Sequence, residues 1–200
     1  MFNSGMTVKS LIDDIKEEAD ISPDIQDSEY LYWVNCLEQV LYSDIIKEQR
    51  CGHVPVSQTS NYKDNVPMEN FNSETEAEVV FEDIITVFAD SKQLIKTTLL
   101  SGAVFNDCCF SDSGKLFCKI DGTCNDIAVY YNVRPKLHES TTEHIMLPYE
   151  HMDLMKAYIR MQAYKKAMEE ELCATWTNEY NVLLEAFKVW INTRSASFGI

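Results

Sequence analysis

Apolar positions along the chain fall into three regimes: helical spacing, then strand-like alternation, then helical spacing again. Val8 to Ala19 predicts a helix with Leu11, Ile12, Ile15 and Ala19 on one face and Thr7 as its N-cap. Asp13, Asp14, Glu17 and Glu18 fall on the other side and predict a solvated face. Asp20 to Asp27, with Pro23, reads as a loop. A second helix is expected from Glu29 to Gln49, capped by Ser28, with Trp33, Leu37, Val40, Leu41 and Ile45 at helical intervals. Beyond Arg50 the periodicity fails. A short strand near His53–Gln58 and a long polar loop over Gln58–Glu76 are expected. Short runs separated by Gly, Asp and Ser clusters then predict strands at Val80–Phe88, Gln93–Leu99, Ala103–Phe110, Lys115–Ile120 and Ile127–Arg134, an antiparallel meander closed by the last strand. Pro148 opens a third helix reaching Met168, with Met152, Met155, Ile159, Ala163 and Ala167 on its face. After the polar joint Glu169–Glu171, a fourth carries Trp176, Tyr180, Leu183, Leu184, Phe187, Trp190 and Ile191 to about Thr193.

The expected fold is therefore α+β and mainly α: a bundle of about four helices with an antiparallel β-meander inserted between helices 2 and 3. Its parts are residues 1–50, a β-rich insertion 51–136, helices over 145–194 and a tail 195–200, all within one domain. The 200 residues, 46% hydrophobic and 24% charged, suit one globular domain and exclude a disordered, collagen-like or cysteine-stapled chain.

Charge changes the picture more than composition does. Lys and Arg number 17 against 32 Asp and Glu, for a net −15. Nucleic-acid binding and attraction to an anionic membrane both need basic surface, so both are disfavoured. The deficit is graded, from −7 over residues 1–50 to zero over 151–200. Only the last quarter can dock on an acidic neighbour without repulsion. No apolar run approaches the ~18 residues of a membrane span, and no signal peptide is evident at the start. Seven cysteines without a secretion signal read as reduced thiols of an intracellular protein.

Candidate chemistry is thin. Six scattered glycines form no phosphate cradle. Cys108, Cys109, Cys118 and Cys124 lie close in sequence but lack the paired spacing of a zinc site, and Cys51-Gly52-His53 is a weaker pair still. All are read as apolar fillers, and no metal or cofactor is expected. His53, His138, His144 and His151 carry no signature; His144 and His151 flank the start of helix 3 and could share a surface. The acidic runs offer no contrast of environment for paired catalytic acids, and the aromatic stripe on the fourth helix reads as core. No catalytic residue is assigned and no enzymatic activity is expected.

The order of elements carries more. A helix with Glu29-Tyr30-Leu31-Tyr32-Trp33, a β-region ending in Tyr131-Asn132-Val133-Arg134-Pro135, then Leu147-Pro148-Tyr149-Glu150-His151-Met152-Asp153-Leu154-Met155 leading to Tyr158 and two long helices, resembles the head–tail adaptor (connector) proteins of tailed bacteriophages. The resemblance runs from Met6 to about Thr193, and the polar segment Gln58–Glu76 departs from it. It implies a structural virion protein at the neck: a homo-oligomeric ring, usually of twelve subunits, that docks under the portal and joins the capsid to a downstream tail protein. Genomic double-stranded DNA would be retained by this conduit and ejected through it without specific binding, and an acidic wall would not hold the phosphates back. The resemblance also implies that the C-terminal part, here Trp190, Arg194, Ser195, Ser197, Phe198 and Ile200, faces the portal, and that Val79–Arg134 faces the tail. The competing readings are a tail-completion or other tail ring protein and a small Cys/His or zinc-dependent enzyme.

Overall fold

The computed structural model describes residues 4–18, 25–55, 62–67, 79–97, 107–112, 115–122 and 124–197. It is a mixed α+β chain that divides into two compact units, residues 1–46 with 137–200, and residues 47–136.

The first unit is helical: α1 (Val8–Glu18), α2 (Asp27–Val40), α3 (Met152–Lys166) and α4 (Glu170–Ser197). Leu11, Ile12 and Ile15 of α1 are fully buried, as their spacing predicts; Ala19 lies outside the described residues. They meet Tyr30, Val34, Leu37 and Leu41, then Met152, Met155, Ile159 and Ala163, and finally Phe187 and Ile191. Each large aliphatic buried there contributes about 1.5–3 kcal/mol relative to exposure.

Several expectations for this unit are corrected. α2 starts at Asp27, with Gln26 rather than Ser28 as cap; the Gln26 amide donates to the Glu29 carboxylate at 3.2 Å. It turns its Tyr30/Val34/Leu37 row inward and leaves Val40 exposed. It also stops short of Gln49, passing into a π-helical turn over Leu41–Ile46, after which Lys47 takes a left-handed φ of 48° and the chain extends. Pro148 sits just outside a 3-10 turn, Tyr149–His151, that leads into α3. Ala167 is exposed. The last helix continues to Ser197, so Ser195 and Ser197 belong to α4 and not to a tail; Phe198 and Ile200 lie outside the described residues.

The joint between α3 and α4 is closed by the chain itself. Met168, at φ 59°, donates its amide to the Lys165 carbonyl, and Glu169 donates to Tyr164. This is the double bond pattern that normally carries glycine at the left-handed position.

The solvated face expected for α1 is only partly so. Lys156 of α3 pairs with Asp14 and Glu18, Arg160 with Glu18, and Lys166 with Glu29. The lysine and arginine hydrogen bonds hold the Glu18 carboxyl below its usual range. Three of the six basic groups of the last quarter thus serve acids of the first quarter of the same chain.

Among its described residues the second unit holds eight strands in two four-stranded sheets. One has the order β1 (Glu48–Pro55), β8 (Asp126–Pro135), β3 (Val79–Ala89), β4 (Lys92–Gln93). The other has the order β2 (Tyr62–Pro67), β7 (Lys115–Lys119), β6 (Cys108–Asp112), β5 (Ile95–Lys96). Pairing is antiparallel except between β5 and β6.

This is not the expected meander. The last strand does not close an edge; it is central, between β1 and β3. A ten-residue strand with Ile127, Val129, Tyr131 and Val133 buried on one face is long and apolar enough to take partners on both sides. The expected strand Gln93–Leu99 breaks at Leu94, where the chain passes from one sheet to the other, and β2 falls inside the expected polar loop. A shared core of Ile84, Val87, Leu94, Leu116, Cys118, Ile127 and Val133 joins the two sheets.

Candidate functional site

The most organised polar cluster lies in the helical unit, where α2 meets the segment before α3. Asn35 and Glu38 share one face of α2, three residues apart. Asn35 brackets the His138 backbone: its amide donates to the His138 carbonyl at 3.1 Å and its carbonyl accepts the His138 N–H at 2.8 Å. Glu38 accepts from His138 Nε2 at 2.7 Å and from the Met146 amide at 2.6 Å. The two side chains are 1% and 3% exposed, so a substrate has no access to them. His138 Nδ1 faces Glu143 at 3.4 Å, and Glu143 also takes the amides of Glu139 and Ser140. Carboxylates on both sides of the ring favour its cationic form. Burial opposes that charge, but the hydrogen bonds and charges of Glu38 and Glu143 prevail and raise the His138 pKa above its ordinary value.

This cluster fixes the segment that caps α1. Val8 and Lys9, at the start of α1, donate their otherwise unpaired amides to the carbonyls of Glu143 and Thr141, while Thr7 Oγ1 takes the Ser10 amide, the predicted N-cap. The arrangement is a staple. Sequence reasoning missed it because Glu38 and His138 are 100 residues apart and neither carries a motif.

Of the expected portal-facing residues, Trp190, Arg194, Ser195 and Ser197 sit at the far end of α4. Trp190 is half-buried and stacks on Phe187 with centroids 5.9 Å apart; the His151 ring meets its edge at 4.6 Å. The Arg194 guanidinium covers the Trp190 ring at 4.9 Å. His151 Nε2 is buried without a partner, and burial lowers its pKa, so it serves as an apolar ring in this stack. His144 is exposed and takes no part in it.

In the β unit Cys108, Cys109, Cys118 and Cys124 are buried as part of the core. Cys109 faces Cys118 across β6 and β7. Burial pushes the Cys109 thiol up to about 11 and Cys118 higher still. Among the described residues no group of three or more His, Cys, Asp or Glu is arranged to hold a metal ion.

Cys51 and His53, the weaker sequence pair, are joined by a third group. Asp126 of β8 lies 2.8 Å from His53 Nδ1, and Cys51 Sγ lies 3.6 Å from His53 Nε2. Among the described residues no helix is long and apolar enough to cross a membrane. In comparisons with known proteins, no protein-family model and no curated protein matches the chain.

Proposed function

We propose that this protein is a structural adaptor of a bacteriophage neck, a ring of identical subunits that docks under the portal and links head to tail. The observation that carries the reading is the outer face of α4. This helix has 28 residues and is about 42 Å long. Phe187 and Ile191 turn into the core. On the opposite side Val182, Ala186, Val189 and Thr193 recur at three- and four-residue steps, all exposed. Val182 and Val189 are 66% and 65% exposed. Thr193 returns its hydroxyl to the Val189 carbonyl four residues back, which satisfies its polar atom within the helix. An uncharged stripe of small and β-branched side chains suits packing against another helix. A second copy of the chain is its proposed occupant. The acid surplus, 32 against 17, suits the wall of a conduit for DNA.

The test compares the wild-type chain with the double variant V182E/V189E, each mixed with isolated portal-bearing particles. Wild type is expected to form rings at the portal vertex, visible by electron microscopy. The variant should keep its circular dichroism and lose the rings, because exposed substitutions shift stability by only about 0.5 kcal/mol. A wild-type chain that stays monomeric with no portal affinity would overturn the proposal, and a ring found elsewhere along the tail would favour a tail-completion protein.

A further inference from the structure

Among the described residues of the β unit, a group of chemistry-bearing side chains is both assembled and open to solvent. β1 is the edge strand of its sheet, and Cys51 and His53, two residues apart, share a face of it. Asp126 reaches His53 from the neighbouring β8. The contacts fix the tautomer. A carboxylate can only accept, so His53 Nδ1 carries the proton given to Asp126, and Nε2 presents its lone pair to the Cys51 thiol. Tyr130, directly across the β1–β8 ladder from Cys51, donates its phenol to the same sulfur, an interaction that raises the tyrosine pKa. Thiol, base and orienting carboxylate thus stand in the serial arrangement that activates a nucleophile.

We propose that Cys51 is the reactive thiol of this chain and a site of mixed-disulfide formation with small disulfides. The proton of Cys51 passes to His53 Nε2. The thiolate attacks one sulfur of the disulfide, a new S–S bond forms, and the old one breaks. The departing thiolate leaves with the electron pair and takes the proton from His53. The Cys51 sulfur is oxidised and the departing sulfur reduced, so the exchange needs no other oxidant. Asp126 keeps the imidazole in the accepting tautomer and balances its charge during the transfer. Tyr130 steadies the thiolate.

The remaining six thiols are placed differently. Four are core, and Cys36 and Cys173 are half-buried. Cys173 donates its thiol to the Met161 carbonyl at 3.7 Å, and an acceptor of that kind gives no help to deprotonation. The side chains of Cys51 and His53 are exposed on an edge strand, His53 by 63%. That setting admits a small symmetric reagent and does not enclose a held substrate, so this is a modification site and does not depend on the adaptor reading.

The experiment treats the full chain with dipyridyl disulfide, an uncharged reagent the acidic protein does not repel, and follows release of the coloured thione. Peptide mapping locates the modified cysteine. One fast phase is expected, on Cys51, about tenfold or more above the rate of the same residue in the urea-unfolded chain. Cys51→Ser should abolish the fast phase, and His53→Gln and Asp126→Asn should each return it toward the unfolded rate. A folded-state rate no greater than the unfolded one overturns the proposal, and so does a fast phase that maps to Cys36 or Cys173 or is untouched by His53→Gln. The folded-against-unfolded comparison uses wild-type protein alone and decides the matter even if a variant fails to fold.

Discussion

Replacing His138 by alanine should be among the most damaging changes available to the helical unit. The substitution leaves Glu38, with its side chain 1% exposed, holding only the Met146 amide on one oxygen and nothing on the other. An uncompensated buried charge left by removing its partner costs about 3–5 kcal/mol. Neutralising the carboxylate as well, in the double variant E38L/H138A, removes that charge and leaves one orphaned amide, at about 1–3 kcal/mol. The double variant should therefore be more stable than H138A alone. Urea unfolding followed by tryptophan fluorescence reads this unit selectively, since Trp33, Trp176 and Trp190 all lie in it. The pH dependence is equally specific. His138 has a raised folded pKa, so its contribution is complete below the ordinary value of 6.5 and is lost as pH rises through the folded value. Glu143 is lowered; burial acts against this, but the Ser140 and Glu139 amides and His138 outweigh it, so its contribution holds above 4.5 and disappears as pH falls through its folded value. Wild type should lose stability on both flanks, and H138A should lack the alkaline one. An H138A cost below about 1 kcal/mol, or a double variant weaker than the single, would refute the reasoning.

Two smaller changes test other joints. Met168→Gly should stabilise the chain by about 0.5–1 kcal/mol, because Met168 holds a left-handed φ of 59° while 88% exposed. A rise in Tm of about 1–4 °C checks it, and an unchanged or lower Tm counts against it. Arg160→Lys should cost about 0.5–1 kcal/mol: the guanidinium lies 4.5 Å from the Trp176 ring while pairing with Glu18, and an ammonium cannot stack. An unchanged urea midpoint would show that stack to be idle.

What could be read from the sequence followed the range of the forces involved. The inward rows of α1 and α3 were legible because a 3.6-residue period is written within a dozen neighbours. The end of α2 was not, because the π-helical turn at Leu41–Ile46 and the reversal at Lys47 keep apolar residues near helical spacing. Strand existence was mostly legible and strand partnership was not. That β8 pairs with both β1 and β3 is a non-local choice, and β2 is written in polar residues, Tyr62-Lys63-Asp64-Asn65-Val66-Pro67. The graded charge pointed to docking but gave no hint that Lys156, Arg160 and Lys166 answer acids of the same chain. Cys51 and His53 stood out by adjacency. Asp126, 73 residues from His53, becomes visible only once β1 and β8 are side by side.

The pairing of β1 with β8 has a consequence for how such a chain is assembled and inherited. Glu48 lies opposite Val133, so the strand by which the chain enters the β unit and the strand by which it leaves are ladder neighbours, about 5 Å apart at that pair. Once folded, the segment holds its first and last strands side by side, and the entropy of holding them together is met inside the segment. A block of this kind can be lengthened, replaced or removed in evolution with little demand on the residues that flank it.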